Sequence, residues 1–127
     1  MKKSIETLHA PAPIGPYSQA ISVENLLFVS GQVAINPLDQ KVLVGSIEDE
    51  AHLVMKNIGA ILKENHMDYS NIVNSTIYLK DFGQFGQVNG IYESYLTKPY
   101  PARTTVEVSR LPKDVNLEIA VIAWRNA

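Results

Sequence analysis

Residues 46–65, SIEDEAHLVMKNIGAILKEN, constrain the fold more than any other stretch. Ala51, Val54, Ile58, Ile61 and Leu62 recur at helical spacing and give an amphipathic helix one apolar face. Ser46 with Asp49 resembles a capping box, and acids crowd the positive end of the helix dipole. A face of this kind has to be buried against another layer. The flanking segments supply strands for that layer. NLLFVSGQVAI is rich in β-branched and aromatic residues, and so is NIVNSTIYLK. Gly31 lies inside the first, where a glycine marks a bulge or a close backbone approach.

The second half repeats the pattern. Asp81, with Gln84 three residues on, is placed to cap a second helix, QFGQVNGIYESYLT, with Phe85, Val88, Tyr92, Tyr95 and Leu96 as its buried stripe. Gly86 and Gly90 weaken that helix by about 1 kcal/mol each relative to alanine, so tertiary packing has to hold it. Pro99 and Pro101 end it, and two strands, ARTTVEVS and VNLEIAVIAW, follow around RLPKD. The order strand, strand, helix, strand, helix, strand, strand predicts an α+β fold with two helices on one face of a mixed sheet. The 127 residues suit a single domain, 1–127. The sheet's other face is far from polar, so a second subunit is expected to cover it.

Composition narrows the function. A net charge of −2 leaves nothing to gather phosphates over a broad surface, which argues against nucleic-acid binding. The absence of cysteine excludes disulfides, zinc–thiolate sites and cysteine nucleophiles. His9, His52 and His66 show no metal spacing, and no metal is expected. No run approaches the ~20 apolar residues of a membrane span, and no signal-peptide core follows MKKSIETLHA, so a cytoplasmic location is the expectation. The segment APAPIGPYSQA is too rich in proline and glycine for regular structure and reads as an ordered loop or a frayed arm.

Two charges sit against the grain of the last two strands. Arg103 opens a β-branched run, and Glu118 interrupts an apolar one. Read as an antiparallel hairpin, these strands put Glu118 opposite residue 104, 105 or 106. A one-residue slip moves every side chain to the other face, so Arg103 and Glu118 share a face only if Thr105 is the partner. One reading is a structural Arg–Glu pair or two rim residues. The other is a binding site, since a guanidinium fork grips a carboxylate and a buried carboxylate costs several kcal/mol unless it is paired or used.

IGPYSQA, FVSGQ, VN before IYESY, PART and VEVSRLPKDVNLEI line up in order with the Rid family, also called YjgF and once labelled L-PSP endoribonuclease. The chain resembles that family over nearly its whole length. The resemblance implies a chorismate-mutase-like α+β fold and a homotrimer with clefts between subunits. It implies hydrolysis of enamines and imines such as 2-aminoacrylate, 2-iminopropanoate and 2-iminobutanoate to 2-oxo acids and ammonia, with no cofactor. By residue, it implies that Arg103 binds the substrate carboxylate and that Glu118 positions the hydrolytic water. Tyr17 would line the cleft, Ser30 and Gly31 would approach the ligand, and Asn89 would lie near the site. It also predicts Arg103, Thr105 and Glu118 on one face. Thr105 stands where many members carry cysteine; imine hydrolysis needs only water, a proton source and carboxylate binding, so threonine is compatible with it. Two other functions fit the family: a non-catalytic trimer holding a 2-oxo acid on Arg103, and a ribonuclease, which the net charge argues against.

Overall fold

A computed structural model describes residues 1–126. The chain runs β1 (Lys3–Ile5), β2 (Ala20–Val23), β3 (Leu26–Gln32), β4 (Ile35–Asn36), β5 (Lys41–Val42), α1 (Ile47–Glu64), β6 (Ile72–Leu79), α2 (Phe85–Ser94), β7 (Ala102–Glu107) and β8 (Leu117–Trp124). Six strands form one mixed sheet in the order β1-β2-β3-β8-β6-β7, and β4 with β5 makes a small separate hairpin. Both helices pack on one face, which makes the fold α+β.

Local rules account for α1. The Ser46 hydroxyl accepts the Asp49 N–H at 3.1 Å, and Glu48, Asp49 and Glu50 occupy the first turn. Ala51, Val54, Ile58, Ile61 and Leu62 are all buried against β3 and β8. Each of the valine, isoleucine and leucine side chains contributes roughly 1.5–3 kcal/mol by leaving water, and the Ala51 methyl less. The start of α2 departs from expectation. Asp81 caps a 3-10 turn over Phe82–Gln84, accepting the Gly83 N–H at 2.8 Å, and the α-helix begins only at Phe85.

The expected hairpin between the last two strands does not form. β7 pairs with β6 in parallel, because α2 is a crossover connection between them. β8 inserts between β3 and β6, antiparallel to both. The register follows β6: Ser75 faces Arg103 and Val121, Ile77 faces Thr105 and Ile119, and Tyr78 faces Val106 and Glu118. Paired residues share a face and neighbours along a strand alternate. Arg103 and Thr105 therefore lie on the helix-covered side with Ser75, Ile77 and Val121. Glu118 lies on the open side with Tyr78 and Val106. The three residues expected on one face are divided between two.

The open side is apolar. Phe28 stands beside Ile122 and Leu26 beside Trp124, with Phe28 42% and Trp124 43% exposed.

Candidate active site

The first cluster sits where β7 meets α2. Arg103 Nη1 donates to Asn89 Oδ1 at 2.6 Å. Its guanidinium carbon stands 5.5 Å from the Phe85 ring centre and 5.4 Å from that of Tyr92, within cation–π range of both. The Tyr92 hydroxyl donates to Ser75 Oγ at 2.9 Å, which anchors the ring from below. Burial pushes the Tyr92 phenol up, although the Ser75 hydrogen bond and the Arg103 charge pull it down. The guanidinium is thus aimed by one hydrogen bond and two rings before any ligand arrives. It opens into a cavity of about 400 Å³ lined by Asn89, Tyr92, Glu93, Tyr100, Pro101 and Arg103. Thr105 lies two residues along the same face, and its buried hydroxyl meets no partner among the described residues.

The second cluster sits on the open face. Between Val29 and Gln32 the β3–β8 register slips by one residue, a bulge at Ser30 and Gly31. The Glu118 side chain lies against the bulged glycine. A Cβ added to Gly31 would come within 2.7 Å of Glu118 Cδ, so the strand glycine lets the carboxyl lie directly against the backbone. Glu118 is half-buried and no hydrogen bond reaches its carboxylate among the described residues, so burial raises its pKa above the usual carboxylate range. Ser30 Oγ donates to Ser18 O at 2.6 Å, and the Ser30 N–H donates to Gln19 O at 2.9 Å. These two bonds lash the loop carrying Tyr17, which is 50% exposed, to the strand beside Glu118.

That proline-rich loop is ordered, and Gln19 is the reason. It is 2% exposed; its amide nitrogen donates to Thr7 O, Ala10 O and Pro11 O, and its oxygen accepts the Thr7 N–H at 2.7 Å. Backbone polar groups of Thr7, Ala10 and Pro11 are met by one side chain.

Glu50 performs a similar service for β8. It is 6% exposed and accepts from Asn116 N at 2.8 Å, Leu117 N at 2.9 Å and Asn116 Nδ2 at 3.0 Å. It holds the residues immediately before Glu118. Gln19, Glu50, Glu93 and Tyr100 escaped the sequence reading. The polar interruption of α1's buried face at Glu50, which is helically spaced with Val54, was the available signal.

The family model described as Endoribonuclease L-PSP matches residues 7–125. The chain belongs to the Rid/L-PSP family. It is 46% identical over 125 residues to a RutC family protein of Pyrococcus horikoshii, covering 98% of this chain and 99% of that one. It is 42% identical over 123 residues to the 2-iminobutanoate/2-iminopropanoate deaminase of Mus musculus, covering 97% and 91%. Among solved structures, a Rid family protein of Yersinia pestis superposes with a TM-score of 0.95 at 44% identity, covering 98% of this chain and 100% of that one. E. coli TdcF with bound serine gives 0.93 at 35% identity, covering 98% and 99%.

Within this Rid chain, the residues expected to form one site fall into two groups. Arg103, Asn89 and Thr105 are together on the helix side at the β7 edge; Tyr17, Ser30, Gly31 and Glu118 are together on the open face. Among the described residues, no group of three or more His, Cys, Asp or Glu side chains is placed to hold a metal ion. No described helix is long and apolar enough to cross a membrane.

Proposed function

We propose that the chain hydrolyses small 2-imino acids and their enamine tautomers, such as 2-iminopropanoate and 2-iminobutanoate, to 2-oxo acids and ammonia. The observation that carries this is the pre-aimed Arg103 guanidinium, set at the mouth of a cavity of about 400 Å³. A planar fork held in this way takes a carboxylate through two parallel hydrogen bonds. The mouse relative's name supports the same reaction class.

The carboxylate needed for water activation, Glu118, is on the opposite face of the sheet. The reading therefore requires two copies of the chain, one supplying Arg103 and Asn89 and its neighbour supplying Tyr17, Ser30, Gly31 and Glu118. The apolar open face supports such an assembly, because Phe28, Ile122 and Trp124 favour burial against a second sheet. A homotrimer places three such sites between subunits.

In the composite site Arg103 fixes the substrate carboxylate and so orients the imine carbon. Water held by Glu118 adds its oxygen to that carbon while the nitrogen takes a proton. The C–N bond then breaks, the new hydroxyl loses its proton, and ammonia leaves the 2-oxo acid. A carboxyl whose pKa is raised toward neutrality suits both proton transfers.

A serine or threonine dehydratase generating the imine in the presence of semicarbazide provides the assay. Wild-type protein is expected to suppress semicarbazone formation, and Arg103→Ala to lose that effect by a factor of about 10² or more while remaining folded and assembled. An Arg103→Ala variant as active as wild type sinks the reading. An intact protein that binds 2-oxo acids on Arg103 but never suppresses semicarbazone is a binding protein instead.

A further inference from the structure

We propose that Glu93 and Tyr100 make the Arg103 cavity selective for acids that carry a cationic nitrogen next to the carboxylate. This rests on the reading that Arg103 holds the substrate carboxylate. It adds a determinant that distinguishes substrate from product.

Glu93 lines the same cavity as Arg103, yet the two do not pair. Among the described residues the sole ion pair with nitrogen and oxygen within 4.0 Å is Lys80–Asp114. Arg103 is committed to Asn89 and its flanking rings, and Glu93 is committed to Tyr100, whose hydroxyl donates to Glu93 Oε2 at 3.2 Å. Glu93 Oε1 has no protein partner among the described residues. One cavity thus carries, more than 4.0 Å apart, a guanidinium with a single hydrogen-bond partner and a carboxylate with one oxygen unpartnered among the described residues.

The sequence builds this arrangement. Asn89 and Glu93 are four residues apart on α2, so they project from the same helix face about 6 Å apart along the axis. Asn89 aims the guanidinium, and Glu93, one turn on, faces the same cavity. Tyr100 comes from the segment leading into β7 and steadies Glu93 through its hydroxyl.

Opposite charges that line one cavity without pairing complement a zwitterion. A protonated 2-imino acid or a 2-amino acid places its carboxylate on Arg103 and its nitrogen toward Glu93. The 2-oxo acid product has no cation to offer and meets a carboxylate instead, which favours its departure. Because Glu93 is exposed, the contribution is modest, about three- to tenfold in affinity.

Calorimetric titration with L-serine and L-glycerate tests this, since the two differ only in bearing an ammonium or a hydroxyl at C2. Wild-type protein is expected to bind serine three- to tenfold more tightly. Glu93→Gln is expected to bring serine down to the affinity of glycerate while leaving glycerate within twofold, and Tyr100→Phe to give an intermediate ratio. Equal affinities in the wild type overturn the proposal, as does undetectable binding of both. A Glu93→Gln variant that weakens both acids alike overturns it too. Arg103→Ala separates the two readings. If it abolishes binding of both acids while Glu93→Gln changes neither, the carboxylate clamp stands and the selectivity falls. If Arg103→Ala changes neither affinity, the clamp itself is wrong.

Discussion

Two carboxylates meet the start of β8 from opposite sides of the sheet, and their environments differ sharply. Glu50 comes from α1 on the covered side, is 6% exposed and accepts three N–H bonds from Asn116 and Leu117. Glu118, the next residue along, points to the open side, is half-buried and accepts none among the described residues. Burial alone does not separate them, since the more deeply buried group is the better satisfied. A carboxylate with both oxygens committed to hydrogen bonds is a structural tie. One that is partly desolvated and unpaired holds its proton more readily and is available for chemistry.

Substitutions at the two sites should divide cleanly between activity and stability. Glu118→Gln is expected to lower imine hydrolysis by about 10²–10⁴ with the fold intact. Its effect on stability has a definite sign. The folded pKa of Glu118 lies above its ordinary value of 4.5, so the unfolded chain ionises first. The native state carries no penalty below pH 4.5 and loses stability as pH rises from there through the raised folded value. Urea midpoints of wild type and Glu118→Gln should therefore diverge over that window, with the variant the more stable above it. A constant difference across it contradicts the assignment.

Glu50→Ala is expected to act the other way. It strands the buried Leu117 amide and the part-buried Asn116 amide and should cost ~3 kcal/mol of stability, about a hundredfold in the folding equilibrium. Glu50→Gln should cost half of that or less, because the Asn116 side-chain amide can turn and accept from the new donor. Equal losses in the two variants, measured by chemical denaturation, would assign the stability to charge rather than to hydrogen bonds. The smallest effect is expected at Gly31. An alanine Cβ there displaces the Glu118 carboxyl, so Gly31→Ala should lower activity by about tenfold. Its stability should change by less than about 1 kcal/mol, because the far end of a flexible side chain can move aside. Unchanged activity would show that the contact between Gly31 and Glu118 does not position the acid.

Much of the fold was legible because it is local. The Ser46 cap and the apolar face of α1 each depend on residues a few positions apart, and Gly31 marked its bulge by standing inside a β-rich run. The family was legible as well, since Arg103 and Glu118 stood out against apolar strands and the motifs around them resemble one family. The strand pairing was not. Proximity along the chain suggested a β7–β8 hairpin, but α2 carries the chain across to lay β7 beside β6, and β8 fills the gap between β3 and β6. Which strands pair depends on how the whole sheet closes over the helices, a choice no local pattern records.

The division of the site follows from the same cause. Side chains alternate along strands, so the face on which Arg103 or Glu118 emerges depends on register with a distant partner, β6 in both cases. The amino-acid sequence by itself determined which residues carry charge, which segments are helices, and where a strand needs a glycine. Only the tertiary structure decided that the guanidinium and the carboxylate stand on opposite sides of one sheet, because parity across paired strands is set by contacts far apart in the chain.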